Sequence, residues 1–178
     1  DASGVAMKKA EFTLLRDNSL TAIRTDIFPG FSLNRVLGIT ELNADFLNKV
    51  NNFYHGRKGK FALQVPPSLI NDTSKELLES QGYKYATSWV TFYRDSSPIQ
   101  TKGTDLEVRQ IGKEYASEFA HILNEIFGFP HEFDDIAASS IGKENCVTFM
   151  AFDGSKPAGS AGVYMTGKNA YLAFANVL

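Results

Sequence analysis

The sequence predicts an α+β fold in which a mixed, mostly antiparallel sheet is flanked by helices. Two segments have helical periodicity, and short runs of alternating or β-branched and aromatic residues lie between and after them. Turn signals that contain glycine or proline separate these segments. With 43% hydrophobic and 21% charged residues, the 178-residue chain has the composition of an ordinary globular protein.

Residues 1–30 are predicted to be an N-terminal segment. The chain starts with Asp1, and the stretch "DASGVA" has no hydrophobic signal sequence, so we interpret it as a cloning or processing remnant or an internal cut. A weak helical pattern predicts a short helix over Phe12–Leu20, and Pro29-Gly30 ends the region with a turn.

Residues 31–95 are predicted to alternate strands and helices. A stripe at Phe46, Leu47, Val50, Phe53 and Tyr54 is typical of an amphipathic helix. Thr73 followed by Glu76 has the pattern of a capping box, and Gly82 is expected to end that helix. The predicted strands are Phe31–Ile39, Phe61–Val65, which Pro66-Pro67 stops, and Tyr83–Asp95.

Residues 96–104 are the predicted linker, because "SSPIQTKGT" is polar and contains proline and glycine. Residues 105–178 then show a different order of elements. A strand at Leu106–Ile111 precedes a helical stripe at Tyr115, Phe119, Ile122, Leu123 and Ile126. A shorter helix over Phe133–Ile141 and three strands complete the region, namely "CVTFMAFD", "KPAGSAGVYM" and "NAYLAFANVL".

The glycines near the end of the chain are predicted to form hairpins rather than a phosphate-binding loop. A phosphate loop needs glycines between a strand and the first turn of a helix, whereas these glycines lie between strands. Asp153-Gly154 and Gly167-Lys168 are suited to hairpin turns. Gly159 and Gly162 within the middle strand predict a bulge or a close backbone approach.

The overall composition limits the classes of function. A net charge of −2 disfavours binding to nucleic acid, and no segment approaches eighteen consecutive apolar residues, so we expect no membrane span. The single cysteine, Cys146, fits a reducing compartment, and we therefore expect a cytoplasmic protein.

The order of elements in residues 105–178 resembles the first half of the GNAT family, the acetyl-CoA-dependent N-acetyltransferases. "TFMAFDGSKPAGSAGVYM" is similar to the family's second and third strands, and "NAYLAFANVL" to its fourth. Residues 31–95 resemble a GNAT second half, since Leu78 with Gly82-Tyr83 matches its Leu-x-x-x-Gly-Phe/Tyr phrase. The family's pyrophosphate loop would follow Leu178, so we expect a second GNAT domain that is truncated here; one circularly permuted sheet is the alternative.

The resemblance implies acetyl-CoA as co-substrate and a site along the last strand. In the family, freed backbone groups of this strand bind the pantetheine arm and polarise the thioester carbonyl. The corresponding backbone here belongs to Ala175, Val177 and Leu178. The alternative is that these residues only pair with a neighbouring strand.

The turn "IFGFPHEFDD" corresponds to the family segment that lines the acceptor pocket. Phe127, Phe129 and Pro130 would form an apolar wall, and Tyr164 is a further candidate for the substrate site. The turn also has residues that could draw an amine or accept a proton, namely His131, Glu132, Asp134 and Asp135. The alternative is a solvated loop with an acidic helix start. No metal site is expected, because His131 has no second ligand at a suitable spacing.

Two functions therefore follow from the sequence. The first is transfer of an acetyl group from acetyl-CoA to a primary amine by a GNAT-type enzyme, of which this chain would be an inactive fragment without an identifiable general base. The second is a non-catalytic GNAT-like binding or dimerisation module. In both cases an exposed final strand predicts homo-oligomer formation.

Overall fold

The computed structural model describes residues 2–98 and 100–178, without the side chains of Ala2, Ser3 and Phe174. The predicted linker at 96–104 thus includes Ile99, and the predicted remnant includes Asp1, both of which lie outside the described residues. The chain folds into two compact units with an α+β architecture. The first unit is Thr13–Thr101, and the second consists of the residues up to Phe12 together with Lys102–Leu178.

Helix α1, Ala2–Lys9, opens the chain and belongs to the second unit. The first unit then contains four strands and two helices. Its sheet has the order β1-β2-β3-β4, with antiparallel pairing except between β3 and β4, which are parallel. The elements are β1 Thr13–Asp17, β2 Leu20–Arg24, β3 Arg35–Leu37, α2 Ala44–Tyr54, β4 Ala62–Leu63 and α3 Asp72–Ser80.

The core of the first unit lies between this sheet and α2. Leu47, Val50 and Tyr54 are the buried face of the helix, as the stripe in the sequence predicted. They lie with sheet residues such as Ala22 and Val36, both fully buried, among the buried apolar residues of this unit. Apolar burial of this kind is the main force that holds short strands in place.

A buried network of polar groups connects the loop between β2 and β3 with Arg57 in the first unit. The side chain of Asn34 accepts a hydrogen bond from the backbone N–H of Thr25 (2.7 Å) and donates to the carbonyls of Phe28 and Gly30. Arg57 Nε donates to the same Asn34 Oδ1 at 3.0 Å, and the Arg57 side chain is 1% exposed. Burial lowers the pKa of Arg57, so the hydrogen bonds are needed to keep this charge inside the fold.

The helix predicted at Phe12–Leu20 is wrong, since this region forms the β1–β2 hairpin. Asn18, with φ 51°, and Ser19 make its two-residue turn, because asparagine tolerates the left-handed region. The strands predicted at 31–39 and 61–65 shorten to Arg35–Leu37 and Ala62–Leu63. Pairing with β3 therefore decides the structure here, where the local pattern was weak.

Two further expectations for this unit need correction. The cap of α3 is Asn71, which exchanges hydrogen bonds with Ser74, rather than Thr73 with Glu76. Residues 83–95 are not a strand, since no strand lies between Ser80 and Glu107 in the described part of the chain. Strand propensity alone cannot form a ladder when no neighbouring strand pairs with it.

The second unit consists of an antiparallel sheet and, among its described residues, three α-helices, since two further helices join α1 in this unit. The strand order is β5-β6-β7-β8, so the described strands form two sheets, and the alternative of one permuted sheet is wrong. The elements are β5 Glu107–Gln110, α4 Ala116–Phe127, α5 Asp134–Ala138, β6 Cys146–Asp153, β7 Lys156–Thr166 and β8 Asn169–Val177.

The core of the second unit lies between α4 and one face of its sheet. Phe119, Ile122 and Leu123, from the predicted helical stripe, pack with Met150 and Phe152 of β6. The second helix is shorter than the predicted Phe133–Ile141 at both ends: a 3-10 turn over His131–Phe133 includes its first predicted residue, and the helix ends at Ala138. The three-strand order of β6, β7 and β8 is as predicted.

None of the helices in the described ranges is long and apolar enough to cross a membrane.

Candidate functional site

The last strand, β8, lies at the edge of the second sheet and pairs with β7 along one side. The backbone N–H of Leu178 donates to the carbonyl of Ala158 at 2.9 Å, and Val177 lies opposite Gly159. Adjacent pairs of an antiparallel ladder alternate between bonded and non-bonded, so the peptide groups of Val177 point away from β7. Of the predicted backbone site, Val177 therefore faces the open edge, whereas the N–H of Leu178 is engaged with β7.

Ala175, the third predicted position, lies in a bulge. Gly162 pairs with Ala173 and Ser160 with Asn176, so Phe174 and Ala175 together oppose Ala161. A bulge leaves an extra residue out of the ladder and bends the strand. The prediction of a bulge near Gly159 and Gly162 is confirmed.

A side-chain contact fixes the register beyond this bulge. Ser160, which is buried, donates from its backbone N–H to Asn176 Oδ1 at 3.1 Å, and Asn176 Nδ2 donates to Ser160 Oγ at 2.8 Å. An asparagine side chain thus takes a place that a backbone group occupies in a regular ladder. The bulge is consequently held by specific hydrogen bonds on its C-terminal side.

Three of the predicted substrate-site residues lie at the end of α4 and in the turn after it, namely Phe127, Phe129 and Pro130. Gly128 adopts φ 65°, and the N–H of Phe129 donates back to the carbonyl of Asn124 at 2.9 Å, which is a Schellman ending. Pro130 then prevents the helix from continuing. The rings of Phe127 and Phe129 lie nearly parallel, with centroids 5.8 Å apart, and Phe127 is 45% exposed.

Phe129 also meets Phe133 edge to face at 6.0 Å, and Phe133 meets Phe12 at 5.4 Å. The turn therefore carries a cluster of aromatic rings. Tyr164 belongs to β7 and not to this turn. Tyr164 instead lies opposite Cys146 and Tyr171 in the sheet and is 45% exposed.

The acidic residues of the turn are engaged with other groups of the chain. Asp134 accepts a hydrogen bond from Asn124 Nδ2 at 2.5 Å and lies 3.5 Å from His131 Nδ1. Asp135 pairs with Lys9 Nζ of α1 at 2.6 Å, and this hydrogen bond raises the pKa of Lys9. These contacts support a structural role for both carboxylates in holding the turn and α1.

Two histidines also meet beside the turn. The rings of His121 and His131 stack with centroids 6.4 Å apart, and Glu125 lies 3.6 Å from His121 Nε2. No group of three or more histidine, cysteine or acidic side chains suited to a metal ion occurs among the residues that the structure describes. Sequence spacing did not predict this histidine pair, because it depends on the fold of the turn.

The described cavities are lined by residues of the first unit. One, of about 640 Å³, is bordered by the N-terminal turn of α3, where Asn71 and Asp72 contribute polar groups. The other, of about 310 Å³, lies between the β1–β2 turn and the start of α2, beside Gly38 and Glu41. Sequence analysis assigned no function to either region, and no residue of the predicted site lines them.

Comparison with known proteins supports the fold alone. No protein-family model matches the chain, and no curated protein has a similar sequence. A structural match is the crystal structure of a functionally unknown conserved protein from Staphylococcus epidermidis ATCC 12228. It has a TM-score of 0.56 at 12% identity and covers 100% of this chain and 77% of that chain. At such identity the likeness concerns architecture and carries no activity.

Proposed function

We propose that the chain is part of a GNAT-type N-acyltransferase, which moves an acetyl group from acetyl-CoA to a primary amine. The order of strand, two helices and three-stranded meander in the second unit supports this proposal. The observation that carries it is the open edge of β8, where Val177 turns its peptide groups away from β7 next to a bulge. The single cysteine favours a reducing compartment, so the proposal includes a cytoplasmic location.

The open edge can assist acyl transfer through its main chain. When an amine nitrogen bonds to a thioester carbon, negative charge grows on the carbonyl oxygen until the carbon–sulfur bond breaks and the amine proton is released to the thiolate. The N–H of Val177 would donate a hydrogen bond to that oxygen, and a preformed donor of this kind lowers the barrier without reorganisation. No side chain is assigned as general base.

The apolar rings of Phe127 and Phe129, together with Pro130, remain the proposed wall of the acceptor site. Asp134 and Asp135 are less suited to attract the amine, because each is bound to a group of the chain. We therefore propose that the acceptor presents apolar atoms beside its amine. Tyr164 stays a candidate, on β7 at the position opposite Cys146 and Tyr171.

A non-catalytic binding or dimerisation module is the second candidate. The exposed aromatic residues of segment 83–95 favour it, since large exposed apolar surfaces commonly bind other proteins.

Binding of acetyl-CoA separates the two candidates. The protein at its full natural length is heated with and without acetyl-CoA, and a ligand at one hundred times its dissociation constant adds about 2.7 kcal/mol to stability. Val177→Pro removes the N–H at the open edge, where proline is tolerated, while Val177→Ala retains it. We expect acetyl-CoA to raise the Tm of the parent and of Val177→Ala but not that of Val177→Pro.

The same three proteins are assayed for release of free thiol from acetyl-CoA in the presence of mixed primary amines. Loss of turnover in Val177→Pro alone supports the role of the main chain. An unchanged Tm of the parent protein with acetyl-CoA would refute the transferase and leave the binding module.

A further inference from the structure

The segment Tyr83–Asp95, here called the aromatic segment, exposes more large apolar side chains than any comparable stretch among the described residues. These side chains belong to Tyr85 (83% exposed), Trp89 (59%), Val90 (72%), Phe92 (91%) and Tyr93 (97%). The segment has the alternating, aromatic composition of a strand, yet no described strand pairs with it. Beyond Tyr83, which is hydrogen-bonded to Leu78 and Asn51, the backbone and the exposed side chains of the segment are therefore available to a partner.

The sequence of the aromatic segment is nearly symmetric about Trp89. Thr87 and Thr91 stand two residues on either side of Trp89, and Tyr85 and Tyr93 stand four residues away. If two copies pair antiparallel with a two-fold axis at Trp89, each residue lies opposite its symmetric counterpart in the other copy.

This register matches residue types across the pair. Tyr85 then faces Tyr93 of the second copy, Thr87 faces Thr91, and the two Trp89 rings are neighbours. Aromatic pairs and threonine pairs are among the cross-strand contacts that stabilise sheets most. On the other face, the small Ala86 lies opposite the large Phe92, so the side chains fit without crowding.

We propose that the aromatic segment is a homodimerisation strand, which pairs antiparallel with the same segment of a second copy. The four exposed aromatic side chains among the five of this segment have roughly 650 Å² of accessible surface per copy, taking about 200 Å² for each ring. Stable interfaces bury about 800 Å² per partner, so this surface supplies most of what a dimer needs. The contact is isologous, so it closes at two copies.

Two contacts of the free chain affect dimer formation: one must break, and the other can remain. The hydroxyls of Tyr85 and Ser88 are hydrogen-bonded at 2.9 Å, a contact between residues on opposite faces of a regular strand, and it must break. Trp89 lies under the guanidinium of Arg35, 4.8 Å from the ring centroid, which anchors the middle of the segment to β3. That contact uses part of the ring, and the other part remains for the second copy.

One pair in this register is unfavourable and provides a sharp test. Lys84 lies opposite Arg94 of the second copy, so like charges oppose each other twice in the dimer. Directly opposed like charges destabilise antiparallel strands. Lys84→Glu turns both repulsions into attractions and is expected to lower the dimer dissociation constant about tenfold. Lys84→Glu with Arg94→Glu restores repulsion and is expected to return the constant to near its starting value.

The experiment measures dimerisation of the whole chain by sedimentation equilibrium and by the emission of Trp89, the one tryptophan in the sequence. We expect the mass to double and the emission to shift to shorter wavelength over the same concentration range. Tyr93→Lys, at a side chain 97% exposed and thus not needed for folding, should weaken the dimer at least about tenfold. Lys58→Glu, an exposed lysine outside the segment, is the matched charge control and should change nothing.

Three results would overturn the proposal. One is a chain that stays monomeric at about 100 µM, where a micromolar dimer would be complete. Another is a dimer whose dissociation constant is the same in Lys84→Glu as in Lys58→Glu. The third is short-wavelength emission of Trp89 at every protein concentration, which would mean that the segment pairs within its own chain. None of these readouts depends on acetyl-CoA, so the proposed transferase activity is tested separately.

Discussion

Gly159 of β7 and Asn176 of β8 approach so closely that a β-carbon on Gly159 would lie 2.5 Å from the Asn176 carbonyl oxygen. Beta-carbons essentially never come this near to a backbone atom, so only glycine fits. The contact lies directly beside Val177, the residue whose peptide groups face the open edge of the sheet. The geometry of the candidate site thus depends on a missing side chain in the neighbouring strand.

Gly159→Ala is therefore expected to destabilise the second unit by about 1–3 kcal/mol, the range of overpacked cores. The added methyl group must push β8 away, because its neighbour is backbone and cannot rotate aside. The change is measured by urea unfolding followed by circular dichroism. Gly103→Ala, where nothing lies within 4 Å of the added carbon, is the control and should shift stability by less than about 0.5 kcal/mol. Equal stability of the two variants would mean that β7 and β8 are further apart than described.

Asn34→Ala tests the buried network of the first unit. The amide holds the loop between β2 and β3 through the carbonyls of Phe28 and Gly30, and it accepts a hydrogen bond from the buried Arg57. Removing an acceptor from a buried guanidinium costs more than a neutral hydrogen bond, so we expect a loss of about 2–3 kcal/mol. Unfolding is followed by the fluorescence of Trp89, which lies in this unit. Asn52→Ala, at an exposed position of α2, should leave stability within about 0.5 kcal/mol.

Two substitutions at the start of α3 distinguish the cap predicted from the sequence, Thr73, from the cap in the structure, Asn71. Asn71 Oδ1 accepts from the N–H of Ser74 at 2.9 Å, and Ser74 Oγ accepts from the N–H of Asn71 at 2.9 Å. Asn71→Ala should thus cost about 1 kcal/mol, as is usual for an N-cap. Thr73→Ala should be nearly neutral, because Thr73 is exposed and lies within the first turn. A larger loss for Thr73→Ala than for Asn71→Ala in urea unfolding would favour the cap predicted from the sequence.

The sequence predicted well those elements whose structure is determined by residues within the element itself. Phe119, Ile122 and Leu123 recur at helical spacing over a full helix and are all buried in the structure. The β6–β7 and β7–β8 hairpins were predicted from their turns, and Gly154 and Gly167 indeed adopt φ 60° and 55°. Such local signals are strong, because only glycine tolerates these turns readily.

The errors fall where a partner strand decides the structure. Residues 12–20 became a hairpin because β2 pairs with β3, and residues 83–95 lack a ladder because no described strand lies beside them. The candidate site shows the same limit. The position of β8 and a bulge near Gly159 and Gly162 followed from the sequence, but the β8 residues that form it, Phe174 and Ala175, depend on the register against β7. Spacing along one strand does not contain that information.

Tyr83 provides a test of the first unit by pH. Its hydroxyl donates to Asn51 Oδ1 at 2.7 Å, its ring meets Phe61 edge to face, and burial raises its pKa from 10.0 to about 12. Between these two values the folded protein keeps a proton that the unfolded chain releases, so stability falls as the pH rises through this window. Below pH 10 this contribution is fully present and constant.

Tyr83→Phe removes the ionisable group while keeping the ring. At about pH 8 the variant should be less stable than the parent by about 1 kcal/mol, the value of one hydrogen bond. From pH 10 to about 12 that difference should shrink and can change sign. Ionisation of Tyr83 stabilises the unfolded state of the parent, and the variant has no group there to ionise. Tyr171→Phe, at an exposed tyrosine outside the aromatic segment, is the control and should keep a constant difference from the parent over the same range. If the Tyr83→Phe difference is also constant, the hydroxyl of Tyr83 is exposed to solvent and its packing against Phe61 is not as described.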